Sequence, residues 1–265
     1  FGDYFFVFTC DMGAFGAGLA TAIGSALSFL VMLSHFFMKK NTLRLVKPEN
    51  LPGKLKEITV TGFSTFFIDV AMGILTILFN RQIVIYLGTN ELAVYGVIVN
   101  ISTFVQCCAY SVGQASQPII STNFGAGKGG RIRETLKYAL GTAAFFSIVW
   151  TAAAMLVPNG FIRVFMAPTE EVLSIAPAII RSYAIAFLFL PFNVFSTYYF
   201  QALMKPRISF VASVARGLVI SGILIYLLPA VLGGNMIWFA VPITEVVVAV
   251  YVAYNMKKFT NQLMN

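Results

Sequence analysis

Long apolar stretches separated by short basic intervals dominate this chain. Seven of them, at 14–37, 58–87, 91–122, 137–157, 172–203, 208–230 and 236–256, each supply the run that a helix needs to cross a bilayer, and a partial stretch at 1–9 precedes them. A span requires about 20 mostly apolar residues for roughly 30 Å of hydrocarbon. Backbone groups inside lipid must be satisfied within the segment itself, so runs of this length are expected to be helices. The pattern therefore predicts an all-α, polytopic membrane protein.

The intervals between stretches are charged on alternate sides. Lys39, Lys40, Arg44, Lys47, Lys54 and Lys56 follow the first full stretch, and Lys128, Arg131, Arg133 and Lys137 follow the third. Lys205 and Arg207 follow the fifth, and Lys257 and Lys258 the seventh. If the spans alternate in direction, all of these cations fall on one face, which the positive-inside bias makes cytoplasmic. The chain is then expected to lie in the cell membrane with its C-terminus in the cytoplasm and the turns at 88–91, 158–171 and 233–235 outside. The interval 39–57 carries Pro48 and Pro52 and reads as a linker, dividing the end of one helical lobe (1–38) from a complete six-helix lobe (58–265). Met-Lys-Lys closes both the first full stretch, at 38–40, and the last, at 256–258. This is a weak sign of the internal repeats used by transporters.

Composition narrows the function classes. With 58% hydrophobic and 11% charged residues, and 26 phenylalanines, the chain cannot cover a soluble domain with polar surface. The net charge of +8 sits in clusters between spans and not along an amphipathic face, so nucleic acid is not the expected partner. Three cysteines offer neither a disulfide framework nor metal-ligand spacing. No nucleophile elbow and no phosphate-cradling loop is present, so no enzyme chemistry and no cofactor is expected. The chain opens on Phe1-Gly-Asp without an initiator Met or basic leader, and the expectation is that a further N-terminal part belongs to the protein.

The most specific stretch is Tyr95-Gly-Val-Ile-Val-Asn followed by Gly113-Gln-Ala-Ser-Gln-Pro-Ile-Ile-Ser-Thr-Asn-Phe-Gly-Ala-Gly127 and then Arg131 and Arg133. Gly16-Ala-Gly-Leu-Ala-Thr21, Phe79-Asn-Arg81, Tyr199-Phe-Gln-Ala-Leu-Met-Lys205, Arg216 and Trp238-Phe-Ala-Val-Pro-Ile243 come in the same order. Together they resemble the multidrug and toxic compound extrusion (MATE) family over essentially the whole chain, from the end of its fifth helix through its twelfth. The resemblance implies one complete six-helix lobe plus the end of the preceding one. It also implies secondary active export of organic, mostly cationic compounds in exchange for Na⁺ or H⁺, and a partner N-terminal lobe without which residues 1–265 would not transport.

Polar groups inside the spans carry the site expectations. Gln114 and Gln117 place amides at membrane depth and Pro118 frees a carbonyl, which suits a substrate-lining surface, although amides also serve to bond neighbouring helices. The stretch 123–127 reads as a helix exit and tight turn. Ionisable groups at depth are costly and are usually paired or functional. Asp69 lies about ten residues, or about 15 Å of helix rise, from the basic end of its span. Depth and resemblance agree on it as the first candidate for the coupling cation; the competing reading is an ion pair with Arg181 or Arg216. Glu245 is the second candidate, and Arg181 and Arg216 are expected as counter-ions or helix clamps. Some members of the family place an acid on the tenth helix, where this chain has Pro191 and Asn193. Asn193, Tyr183 and Tyr198 are expected in the substrate cavity, the tyrosines through their π faces, unless they face lipid or neighbouring helices. His35 reads as an interfacial residue. A lipid-linked saccharide flippase and a seven-span receptor are the alternative readings; the former would want a strongly cationic cavity, and the latter an outer-loop disulfide pair.

Overall fold

In the computed structural model the described residues are 2, 5–37 and 50–262, and within them the side chains of 8, 14, 17, 61, 62, 64, 65, 67–69 and 72 lie outside the description. The interval 38–49, which holds most of the expected linker, is therefore not described. The chain packs as two compact units, Phe1–Leu51 and Pro52–Asn265.

In the first unit a π-helical turn, Phe5–Thr9, precedes helix α1, Gly13–Ser34, which ends in a 3₁₀ turn, His35–Phe37. Gly16 sits so close to this opening turn that a Cβ there would come within 2.8 Å of the Phe6 backbone. Phe29, Leu30, Val31 and Met32 are exposed, as expected of a helix whose solvent is lipid.

The second unit is helical throughout its described residues: α2 (Leu51–Tyr86), α3 (Thr89–Gly125), α4 (Gly129–Leu156), α5 (Pro158–Phe165), α6 (Glu170–Ala184), α7 (Leu190–Ala202), α8 (Pro206–Val214), α9 (Ile220–Leu232) and α10 (Ala240–Gln262). Among the described residues six segments are long and apolar enough to cross a membrane: Gly18–Phe37, Thr89–Gly125, Gly129–Leu156, Glu170–Ala202, Pro206–Leu232 and Gly234–Gln262. The remaining expected span, 58–87, coincides with α2, a single helix of 36 residues. Residues 51–57, read above as linker, already belong to this helix. The expected outer loop at 158–171 contains a further helix, α5, started by Pro158 in its first turn, where a missing N–H costs nothing.

Two spans are broken in the middle. Between α6 and α7 the chain tightens into a 3₁₀ turn, Ile185–Leu188, just before Pro191 opens α7. Between α8 and α9 it widens into a π-helical segment, Ala215–Val219, which contains Arg216. Such bulges loosen the hydrogen-bond ladder and recur at functional positions. The exit of α3 behaves as read from sequence: Gly127, at φ 68°, lets its own N–H bond Phe124 O at 3.1 Å while Lys128 N–H bonds Asn123 O at 2.9 Å.

The interior has two apolar clusters. One, toward the Gly88 end, gathers Phe79, Tyr95, Tyr183, Phe187, Ile225 and Trp238, with Phe79 and Tyr95 stacked at 4.9 Å. The other, toward the Gly127 end, gathers Ile132, Leu136, Phe195, Tyr199, Val252 and Met256. Along α10 the order is Val241 in the first cluster, then Thr244 and Glu245, then Val248 in the second. On α7, Asn193 likewise lies where the helix passes from the first cluster (Leu190, Val194) to the second (Phe195). A polar layer thus separates the two halves of the core.

Candidate functional site

Glu245 anchors this polar layer, 2% exposed. Arg216 Nε–H donates to its Oε1 at 2.5 Å, and Asn193 Nδ2 donates to its Oε2 at 2.6 Å and to its backbone carbonyl at 2.9 Å. A carboxylate only accepts, so the Asn193 amide must turn its NH₂ toward it. The Asn193 Oδ1 is then left buried without a partner. Three spans meet here: α7, the α8–α9 segment and α10.

The π-helical segment explains how Arg216 arrives at this depth. Gly217 packs against α2 so closely that a Cβ would fall 2.6 Å from the Ala71 Cβ. Two small residues therefore let the bulge approach α2. One turn on, Ser221 Oγ donates to Arg216 O at 2.6 Å, satisfying a carbonyl within the loosened ladder, and it lies 3.1 Å from Thr244 Oγ1. The Thr244 hydroxyl bonds Ala240 O at 2.8 Å. Sequence, bulge and ion pair form one construction.

Beside the pair is a cavity of about 70 Å³, lined by Arg216 and Glu245 and by polar side chains that include Thr76, Ser102, Thr103, Gln106, Tyr183 and Ser221. That is room for water molecules or a small ion, an order of magnitude below the several hundred Å³ of a drug-sized pocket.

The expected site residues divide accordingly. Glu245, Arg216, Asn193 and Tyr183 come together, although the first two were assigned to ion chemistry and the last two to substrate. Arg216, offered as a counter-ion for Asp69, is engaged by Glu245. Asp69 stands on α2 two turns before Thr76; its side chain lies outside the described set. Arg181 takes the helix-clamp role, its Nε–H donating to Met155 O at 3.0 Å. Gln117 is half-buried with its Nε2 donating to Gln201 Oε1 at 3.5 Å, and Tyr198 packs edge-on to Tyr110 and so closely over Gly113 that a Cβ there would run into its ring. Neither Gln117 nor Tyr198 lines the small cavity. Gln114 is exposed.

The exposure of Gln114 is part of a pattern that sequence reading left unremarked. Asn100, Thr103, Cys107, Ser111, Gln114, Pro118 and Ser121 are all exposed and follow one another at intervals of three or four, one stripe along α3. Thr103, Ser111 and Ser121 bond carbonyls of their own helix, as hydroxyls do even in lipid. Among the described residues Gln114 makes no such bond, and hydrocarbon would leave its amide unsatisfied. The stripe is built for water or for another polar protein surface. The missed cavity residues Thr76, Ser102, Gln106 and Ser221 gave only a faint signal, a few hydroxyls and amides on otherwise apolar helices.

This is a polytopic helical membrane protein with an ion pair buried at mid-span. The MatE family model matches residues 63–227, and the chain belongs to that family. Among curated proteins it is similar to the multidrug export protein MepA of Staphylococcus haemolyticus, 23% identical over 96% of this chain and 57% of the relative. Among solved structures it superposes on an outward-facing multidrug resistance MATE family transporter of the MOP superfamily (TM-score 0.87, 20% identity, 99% of this chain and 60% of the other). It superposes equally on a MOP superfamily transporter from Pyrococcus furiosus, described as having a binding pocket of reverse polarity that suggests a different function (TM-score 0.87, 19% identity, 100% and 60%). The chain spans little more than half the length of these relatives.

Proposed function

We propose that this chain supplies one six-helix lobe of a secondary antiporter that exports organic, mostly cationic compounds in exchange for Na⁺ or H⁺ by alternating access. The observation that carries the reading is the MatE match over 63–227. The polar stripe on α3 supports it, because such a face suits a water-filled cavity shared with a second lobe. The buried Arg216 is already neutralised by Glu245, which speaks against the strongly cationic cavity of a saccharide flippase. The substrate site is then the space that the α3 stripe faces, with Gln114 on its wall, while the small cavity at Glu245 is sized for water or ions. The partner lobe belongs to the same protein in this reading.

The direct test is accumulation of a cationic dye in cells. The protein with both lobes lowers it, and residues 1–265 alone do not; equal efflux by 1–265 would overturn the two-lobe reading. Orientation is tested separately. Cysteine placed at Lys54, Gly129 or Lys258 reacts only with a reagent on the cytoplasmic side, and cysteine at Thr89 or Asn235 only from outside; the opposite labelling reverses the topology.

A further inference from the structure

At the Gly127 end, α4 and α10 each pack on α7 and leave between them an open groove of about 880 Å³. Its wall is ordered along the helix axes. On α4, Arg133 and Lys137 come first and Leu140 follows deeper; on α10, Thr260 and Lys257 come first and Ala253 follows deeper, with Phe192 of α7 also on the wall. Three cations face one acid, Glu134. Lys137 and Lys257 are exposed and form no ion pair among the described residues, whereas Lys54, on α2, pairs with Glu57 at 3.5 Å. A groove with cations at its mouth and apolar side chains below has the polarity of an amphiphile.

We propose that this groove is a binding site for an anionic phospholipid, whose phosphate is held by Arg133, Lys137 and Lys257 and whose acyl chains lie along Leu140, Phe192 and Ala253. A soluble phosphate would leave the apolar wall uncovered, and a zwitterionic lipid would bring a cation of its own beside Lys137 and Lys257. The location agrees with this occupant, since the basic ends of the spans lie at the membrane surface under the topology proposed above, and anionic headgroups gather on the cytoplasmic leaflet. Basic pockets between spans on that side hold such headgroups by the same electrostatics. The proposal rests on that orientation, which cysteine labelling tests on its own, so failure of the one is distinguishable from failure of the other.

The experiment is lipid titration of the full chain in neutral detergent, read by native mass spectrometry and by thermal unfolding. Phosphatidylglycerol is expected to bind at least about tenfold more tightly than phosphatidylcholine and to raise Tm. A cation near the surface is worth about fivefold in affinity for anionic lipid, so K137Q and K257Q should each weaken phosphatidylglycerol binding by up to about fivefold, and the double variant should lose the preference over phosphatidylcholine. Glu134→Gln, which removes the acid from the mouth, should tighten phosphatidylglycerol binding severalfold. K54Q/K56Q, which removes cations outside the groove, should leave the preference intact. Equal affinity for the two lipids overturns the site, as it would if another part of the protein covered the groove. An unchanged preference in K137Q/K257Q, or inorganic phosphate giving the same rise in Tm at the same concentration, overturns it as well.

Discussion

Glu245→Ala is expected to destabilise the protein by about 3–5 kcal/mol, because it leaves a buried guanidinium without its carboxylate. Arg216 has 10% of its side chain exposed, and its Nε–H has Glu245 as its acceptor. The same change strips the Asn193 amide of the acceptor for its shorter bond, adding the desolvation of a second polar group. Arg216→Met should be comparably costly for the mirror-image reason, a carboxylate left buried. The double variant R216M/E245L should recover most of the loss, since an apolar pair of similar volume pays no desolvation penalty. Unfolding of the parent, Glu245→Leu, Arg216→Met and R216M/E245L in one detergent closes the cycle. A cost below about 1 kcal/mol for Glu245→Ala, or simple additivity in the double variant, would show that the pair is hydrated and not a structural clamp.

Asp69→Asn is expected to abolish ion-driven dye efflux while abundance and membrane insertion stay near the parental level. The substitution keeps size and hydrogen-bonding capacity and removes the titrating group. By sequence it lies about ten residues, or about 15 Å of helix rise, from the basic end of its span, a depth near mid-membrane. Glu245→Gln should act differently: reduced stability with a smaller effect on ion dependence in the molecules that remain, because Glu245 is already committed to Arg216 and Asn193. Measuring efflux per folded molecule separates the two. Parental export with an unchanged ion dependence in Asp69→Asn would make that residue structural and place coupling elsewhere.

The spans were legible because their signal is local. A stretch such as 137–157 is apolar along its length, and lipid demands this of any helix in its path whatever the neighbours. The turn at 123–127 was legible for the same reason, since its glycine acts within a few residues. Breaks inside spans were less so. Pro191 hints at the 3₁₀ turn before α7, but Arg216-Gly217 does not announce a π-helical bulge; that arises where Gly217 meets Ala71 of another helix.

The sequence by itself determined the class: all-helical, polytopic, basic on one side, with its motifs in MATE order. It also singled out Glu245, Asn193, Tyr183 and Arg216 as polar groups at a depth where they need partners. Which of them partner was decided only by tertiary structure. Asn193 and Glu245 are 52 residues apart and Arg216 and Glu245 29 apart, and their meeting depends on how three spans rotate about their axes. In lipid that rotation is set by close packing and by satisfaction of buried polar groups, for hydrophobicity scarcely distinguishes a neighbouring helix from an acyl chain. The same physics explains Gln114: sequence placed it at membrane depth, but only the packed helices showed that it stands on the exposed stripe of α3 and not beside the buried pair.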